Sequence, residues 1–296
     1  HDWLADYCLH GEIVLPGAAL VELACAAASQ AHWMATKSSS VSGGSSEVVC
    51  VEGFSIVRRV VAADVRKGRS GDRHGHEAQA TALSCVVGDD GETEIYSKDS
   101  ASAERVLHAS GKVSVVREDG ARSSSGYAPD WQALSDLAKQ AASSCDRSAD
   151  IDRLYRTFAE SGLAFGEAFR LLRTAQYSDR ACVCSMSLAD TKLQQAHMLP
   201  PNMIDAVLQS SAVTMMLAGS ADASSEAARG GGGGAAQVPY AIDEVWVRPD
   251  KVDQLWQHET CTCHVEIRQR ESRMTVFDCS LLCAEGCVVM HMKGVY

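Results

Sequence analysis

The chain has 296 residues, enough for one large domain or two ordinary ones with real hydrophobic cores. Its formal net charge of -11 disfavours nucleic acid and anionic membrane surfaces as partners, because both repel it at long range. No run of about 18 uncharged apolar residues occurs, and the first residues lack a basic start and an apolar core, so neither a membrane span nor a signal peptide is expected and a cytoplasmic location is.

Pro16 opens a stretch from Gly17 to about Met34 that is apolar on almost every side, which predicts a helix buried on most faces. Strand patterns follow at Glu47 to Val57, Ala78 to Val87, Thr93 to Ser97 and Gly111 to Val116, with Asp89-Asp90-Gly91 as a hairpin turn. The polar run Glu118 to Gly126 reads as a connector, with a short helix at Trp131 to Ser143 inside it.

From Ile151 the outline repeats. Strands are expected around Ala175 to Leu188, a helix from about Asn202 to Leu217, and strands near Val245, Thr262, Thr275 and Val288. Gly219 to Gln237 is too poor in large apolar residues to pack and reads as a disordered loop. Two units, each with one buried helix and an antiparallel sheet to wrap it, give a duplicated α+β fold: residues 1–117, a connector at 118–150, and residues 151–296.

The twelve cysteines are too dilute for a secreted disulfide scaffold and are read as reduced. Cys182-x-Cys184 and Cys261-x-Cys263 lack the paired CxxC of structural zinc sites, and CxC in a strand repeats one face, so no metal is expected. The segment Arg66 to Glu77 concentrates positive charge, as a solvated loop or as a patch for an acidic partner.

Five motifs stand out. They are DYCLHGEIVLPGA at residues 6–18, VLHASGKV at 106–113, LYRTFAESGLAFGEAF at 154–169, MIDAVLQ at 203–209 and VPYAIDEVWV at 238–247. In this order they resemble the dehydratase domains of modular polyketide synthases and animal-type fatty acid synthases, almost end to end. The fold implied is the double hot dog, two antiparallel sheets each wrapped around a buried helix.

The resemblance also implies a reaction. A motif histidine removes the α-proton of a β-hydroxyacyl thioester, and the aspartate of DxxxQ protonates the leaving hydroxyl, giving an α,β-enoyl thioester and water. Asp205 and Gln209 match DxxxQ, and four residues apart on a helix they share a face. Gly11 and the residues after Pro16 match the part that offers backbone N–H groups to the thioester carbonyl. Phe165, Gly166, Glu167, Pro239 and Tyr240 fall in segments that line the substrate channel. The domain itself binds no cofactor; the substrate rides on the phosphopantetheine of an acyl carrier protein, and neighbouring synthase domains and a second copy of the chain are the other partners. Plainer readings stand beside these: Asp205 as a first-turn acid with Asn202 as cap, and Gly11 and Pro16-Gly17 as turn and helix start.

The histidine position itself holds Tyr7. A phenol with an ordinary pKa of about 10 is roughly 0.1% ionised at neutral pH, so it donates protons readily and accepts them poorly. Nearby histidines do not replace it: His10 lies at odd spacing on the opposite strand face, and His1 is roughly 20 Å away along an extended chain. Phe165 stands where the family has tyrosine and Glu167 where it has proline; Glu167 is a replacement base only if burial raises its pKa. Three readings follow: a dehydratase with weakened or altered elimination, an inactive domain kept for spacing, dimerisation or acyl holding, and a different hot-dog activity such as thioester hydrolysis or ring closure.

Overall fold

A computed structural model describes residues 2–36, 46–61, 82–98, 104–118, 122–123, 126–188, 197–217, 238–271 and 274–296. His1, the basic segment at 66–77 and the Gly-rich segment at 219–237 lie outside the described residues.

The chain opens with a 3₁₀ turn, Asp2–Asp6, then strands β1 (Tyr7–Leu9) and β2 (Glu12–Leu15) and helix α1 (Gly17–Thr36). Strands β3 (Glu47–Ile56), β4 (Val60–Val61), β5 (Leu83–Val87), β6 (Glu92–Lys98) and β7 (Arg105–Arg117) complete the first half. Two short strands, β8 (Arg122–Ser123) and β9 (Gly126–Tyr127), pair with each other and lead to helix α2 (Trp131–Ser144) and strand β10 (Arg147–Ser148).

The second half holds helix α3 (Ile151–Glu160), strands β11 (Leu163–Phe165), β12 (Leu172–Tyr177) and β13 (Ala181–Ser187), and helix α4 (Pro201–Leu217). Strand β14 (Ala241–Val247), helix α5 (Pro249–Leu255) and strands β15 (Thr260–Arg270), β16 (Thr275–Leu282) and β17 (Val288–Val295) close it.

Each half wraps strands around one helix, α1 or α4, and the two helices pack on each other in the middle. The two sheets also join edge to edge. β14 pairs on one side with β17 of its own half and on the other with β3, with Val245 opposite Val51, so eleven strands form one continuous antiparallel sheet. Alternation sets its faces: Val49, Val51 and Phe54 of β3 point to the helices, while Val48 and Cys50 point outward with Trp246.

Both central helices can be buried because of their side chains. α1 turns Ala18, Ala24, Cys25 and Ala28 inward, small residues that permit close approach. α4 carries several polar residues in the core, yet Ser210 and Ser211 donate to the carbonyls of Val207 and Leu208 at 2.6 and 2.7 Å, which removes most of their burial cost. The CxC cysteines face this core too, with the Cys182 thiol 3.1 Å from the Ser210 carbonyl. All twelve cysteines are free thiols.

The short helix expected inside the connector is α2, and it is packed on the fold: Asp130 caps it, Ala138 packs on Leu282 and Val288, and the Ser135 hydroxyl donates to the Gly286 carbonyl at 2.7 Å. Helix α3, not foreseen, is capped by Asp150 and buries Leu154, Tyr155 and Phe158 along one side.

Candidate active site

A second, four-stranded sheet brings the two halves' motifs together. Its order is β11, β1, β2, β4, and β1 lies antiparallel to β11 with Tyr7 opposite Phe165. The β1–β2 hairpin turns at His10 and Gly11, both at positive φ (50° and 82°), the conformation that a two-residue primed turn requires. Asp6 fixes the start of β1: its carbonyl accepts from the Gly166 N–H at 2.7 Å, and its carboxylate accepts from the Ala168 N–H at 2.9 Å.

Tyr7 is thereby held inward, 6% exposed, with its ring edge-on to Phe165 and Phe169 at centroid distances of 5.4 and 5.1 Å. Across from it stands Asp205 of α4, 5% exposed. α4 begins at Pro201, so Asp205 lies in its second turn, beyond the helix-end position of the plainer reading, and Asn202 donates to the Ala168 carbonyl at 2.8 Å.

Tyr7 and Asp205 line one slot of about 30 Å³, room for about one water, with Gly17, Ala18, Val21, Phe54, Ile56, Leu208, Val238, Pro239, Ala241 and Ile242. A wider hollow of about 690 Å³ beside Asp150, Thr174 and Gln176 contains none of the motif residues that meet here.

Burial sets the proton affinities. It pushes the Asp205 carboxyl up to about 7, against the opposing pull of its hydrogen bond with Gln209. It pushes the Tyr7 phenol well above its ordinary value, and the charge of Asp205 adds to that. Near neutral pH the carboxyl can therefore give a proton, while the phenol holds its own. Among the described residues that line the slot, Asp205 is the one group that titrates near neutral pH.

Gln209 orients that acid. Its amide nitrogen donates to Asp205 Oδ2 at 2.7 Å and to the Phe169 carbonyl at 3.1 Å, while its amide oxygen accepts from the Tyr155 hydroxyl at 3.1 Å. Tyr155 is the functional residue that the sequence reading missed. It enters from α3 and also accepts the Leu172 N–H at 3.3 Å; the only signal for it was a tyrosine on what turns out to be that helix's buried side.

The remaining expected residues divide. Pro16 is buried and its carbonyl accepts from the Ala19 N–H at 2.9 Å as α1 begins; Pro239 lines the slot. Phe165 packs against Tyr7, and Gly166 is needed because a Cβ there would overlap the Asp6 side chain. Gly11 is exposed in its turn, Tyr240 is 55% exposed, and neither lines the slot. Glu167 is exposed on a 3₁₀ turn and is not among the slot residues, so the burial on which its role as base depended is missing. His10 packs over Gly162, outside the slot. No group of three or more potential metal ligands occurs among the described residues.

Known proteins resemble this chain in sequence and in fold. A family described as "Polyketide synthase dehydratase N-terminal domain" matches residues 133–296, and one described as "Polyketide synthase dehydratase domain" matches residues 1–64. Polyketide synthase PksN of Bacillus subtilis (strain 168) is 22% identical over 99% of this chain, which spans only 5% of that much longer protein. The dehydratase domain from the CurJ module of curacin polyketide synthase superposes with a TM-score of 0.71 at 17% identity, covering 99% of this chain and 85% of that one. A histidine-to-phenylalanine variant of the CurJ dehydratase, described as an inactive mutant in complex with a compound, gives 0.70 at 17% identity, covering 99% and 86%.

Proposed function

Because the chain belongs to the polyketide synthase dehydratase family, we propose that it is a dehydratase-type domain in which the proton-donating half of the elimination is kept and the proton-accepting half is silenced by Tyr7. The substrate of the parent reaction is a β-hydroxyacyl thioester on the phosphopantetheine of an acyl carrier protein, presented within a multienzyme whose other domains flank this one. Asp205, oriented by Gln209 and Tyr155, is the group that protonates the leaving hydroxyl.

The observation that carries this reading is the pairing of Asp205 with a phenol in one slot whose described lining residues include no imidazole or second carboxylate. Losing a positioned base costs about 100- to 10,000-fold in rate. The CurJ dehydratase variant, in which phenylalanine replaces a histidine and which is described as inactive, supports the same direction. The small volume of the slot favours a second reading, a silent domain kept for spacing or dimerisation, because about 30 Å³ does not admit an acyl chain.

Purified protein offered a β-hydroxyacyl thioester, and separately the enoyl thioester in water, separates the cases. The expected result is little or no turnover in the native chain and a gain of at least about 100-fold in Tyr7→His. Native turnover equal to that of Tyr7→His overturns the account of Tyr7. A folded Tyr7→His that stays silent leaves the spacing role.

A further inference from the structure

We propose that the slot is a two-donor oxyanion site, and that the ligand it selects is the enolate of a β-ketoacyl thioester rather than a β-hydroxyacyl thioester. The thioester part of this ligand rests on the function proposed above; the preference for an enolate oxygen rests on the slot alone.

Tyr7 and Asp205 supply the only polar side chains among the twelve residues that line the slot. Both residues are more than nine-tenths buried. Asp205 commits Oδ2 to Gln209, and neither its other oxygen nor the Tyr7 hydroxyl is hydrogen-bonded to a described residue. Neither atom is among the fully enclosed side-chain atoms left without a partner, so both stay reachable from the slot, and a ligand oxygen placed between the two can accept from each.

What the pair can do follows from its protons. With the phenol held neutral and the carboxyl titrating near 7, both groups are O–H donors at slightly acid pH, and no other described residue lining the slot carries a side chain that accepts a proton. A phenol and a protonated carboxyl converging on one oxygen form a known type of oxyanion hole, which stabilises negative charge far more than a neutral hydroxyl. The slot is also the right size for one oxygen atom and too small for a chain. Val238, exposed at 42%, and Pro239 put one wall of the slot near the surface, where the rest of a ligand can lie.

A β-ketoacyl thioester meets these requirements without a protein base. Its α-carbon lies between two carbonyls, so the C–H bond breaks in solution; the proton goes to water or buffer, and the electron pair delocalises onto the β-oxygen, which the two donors then hold. No oxidation state changes. A β-hydroxyl, saturated and uncharged, is a weaker acceptor for the same pair.

The test is titration of the folded protein with acetoacetyl-N-acetylcysteamine at slightly acid pH, following the ultraviolet band of the enolate, with 3-hydroxybutyryl-N-acetylcysteamine as competitor. The native chain should raise the enolate band to a saturating level. Tyr7→Phe and Asp205→Asn, each nearly isosteric and checked for folding by thermal melting, should weaken it about 10- to 100-fold. No enolate band with the folded native chain, equal bands in native and Tyr7→Phe, or a hydroxybutyryl thioester that displaces the enolate at equal concentration each overturn the proposal. These outcomes are independent of the elimination assay. A Tyr7→His that dehydrates beside a native chain that gathers no enolate sinks this inference and leaves the dehydratase reading, and the converse pattern does the reverse.

Discussion

Tyr155 and Gln209, on different helices and 54 residues apart in sequence, meet hydroxyl to amide oxygen at 3.1 Å, and that contact decides which end of the amide faces Asp205. With its oxygen taken by the phenol, Gln209 must turn its nitrogen towards the carboxylate. Tyr155→Phe removes this constraint and leaves both the amide oxygen and the Leu172 N–H without their partner. It should cost roughly 2 kcal/mol in stability. Thermal melting checks the size, and the titration of Asp205, followed by carboxyl infrared absorption, should move as its orienting donor loosens. An unchanged melting temperature together with an unchanged titration would show that the amide is fixed by Phe169 alone.

Asp205 makes the stability of the fold depend on pH. Its carboxyl titrates near 7 in the folded chain and near 3.8 when free, so the folded state binds this proton more tightly than the unfolded state does. Its contribution is fully present below about pH 4 and is lost as pH rises through 7, at up to about 1.4 kcal/mol per pH unit and on the order of 4 kcal/mol in total. Asp205→Asn has no such proton to lose. Its melting temperature should lie close to that of the native chain at pH 4.5 and clearly above it at pH 8. A difference that is equal at the two pH values, or that shrinks at pH 8, contradicts the assignment.

Much of this site was legible in the sequence because its parts are local. The four-residue spacing of Asp205 and Gln209 needed only a helix, the buried run after Pro16 marked α1, and Asp89-Asp90-Gly91 marked the β5–β6 hairpin. The rest depends on partners far apart in the chain. Nothing in β14 distinguishes pairing with β3 from ending at a sheet edge, since an apolar strand suits both. Opposing Tyr7 to Phe165 is likewise a choice of register between halves. Glu167 matched a channel position by motif, yet the 3₁₀ turn that carries it leaves it exposed. The slot's volume follows from packing by residues of five separate segments, which no motif encodes.

Gly166 holds the two halves in the arrangement that creates the slot. Because a Cβ there overlaps the Asp6 side chain, Gly166→Ala must push Asp6 off the Ala168 N–H and loosen the start of β1. It should cost about 1–3 kcal/mol, the usual range for overpacking a tight contact. Gly11→Ala is a useful contrast, since no atom lies within 4 Å of its added Cβ and the penalty is the positive φ alone, about 1 kcal/mol. Thermal melting ranks the two. Trp3, whose ring is 5.8 Å from that of Phe169, supplies a local readout. Its fluorescence should change in Gly166→Ala and stay native in Gly11→Ala, and the opposite ranking would place the junction elsewhere.

The two buried phenols should respond in opposite ways to loss of the hydroxyl. Tyr155 has both its donor and its acceptor capacity used within the core, whereas Tyr7 lines the slot and its hydroxyl makes no hydrogen bond to a described residue. Both rings have aromatic neighbours that phenylalanine keeps, so the hydroxyl is the only variable. Tyr7→Phe should therefore leave stability unchanged within about 0.5 kcal/mol or raise it slightly, because it removes a polar group from an apolar wall. Tyr155→Phe should lower it. Side-by-side denaturation at one pH measures the contrast. A loss in Tyr7→Phe as large as in Tyr155→Phe means that the Tyr7 hydroxyl is already bonded in the free protein, which would take away the open donor that the enolate site requires.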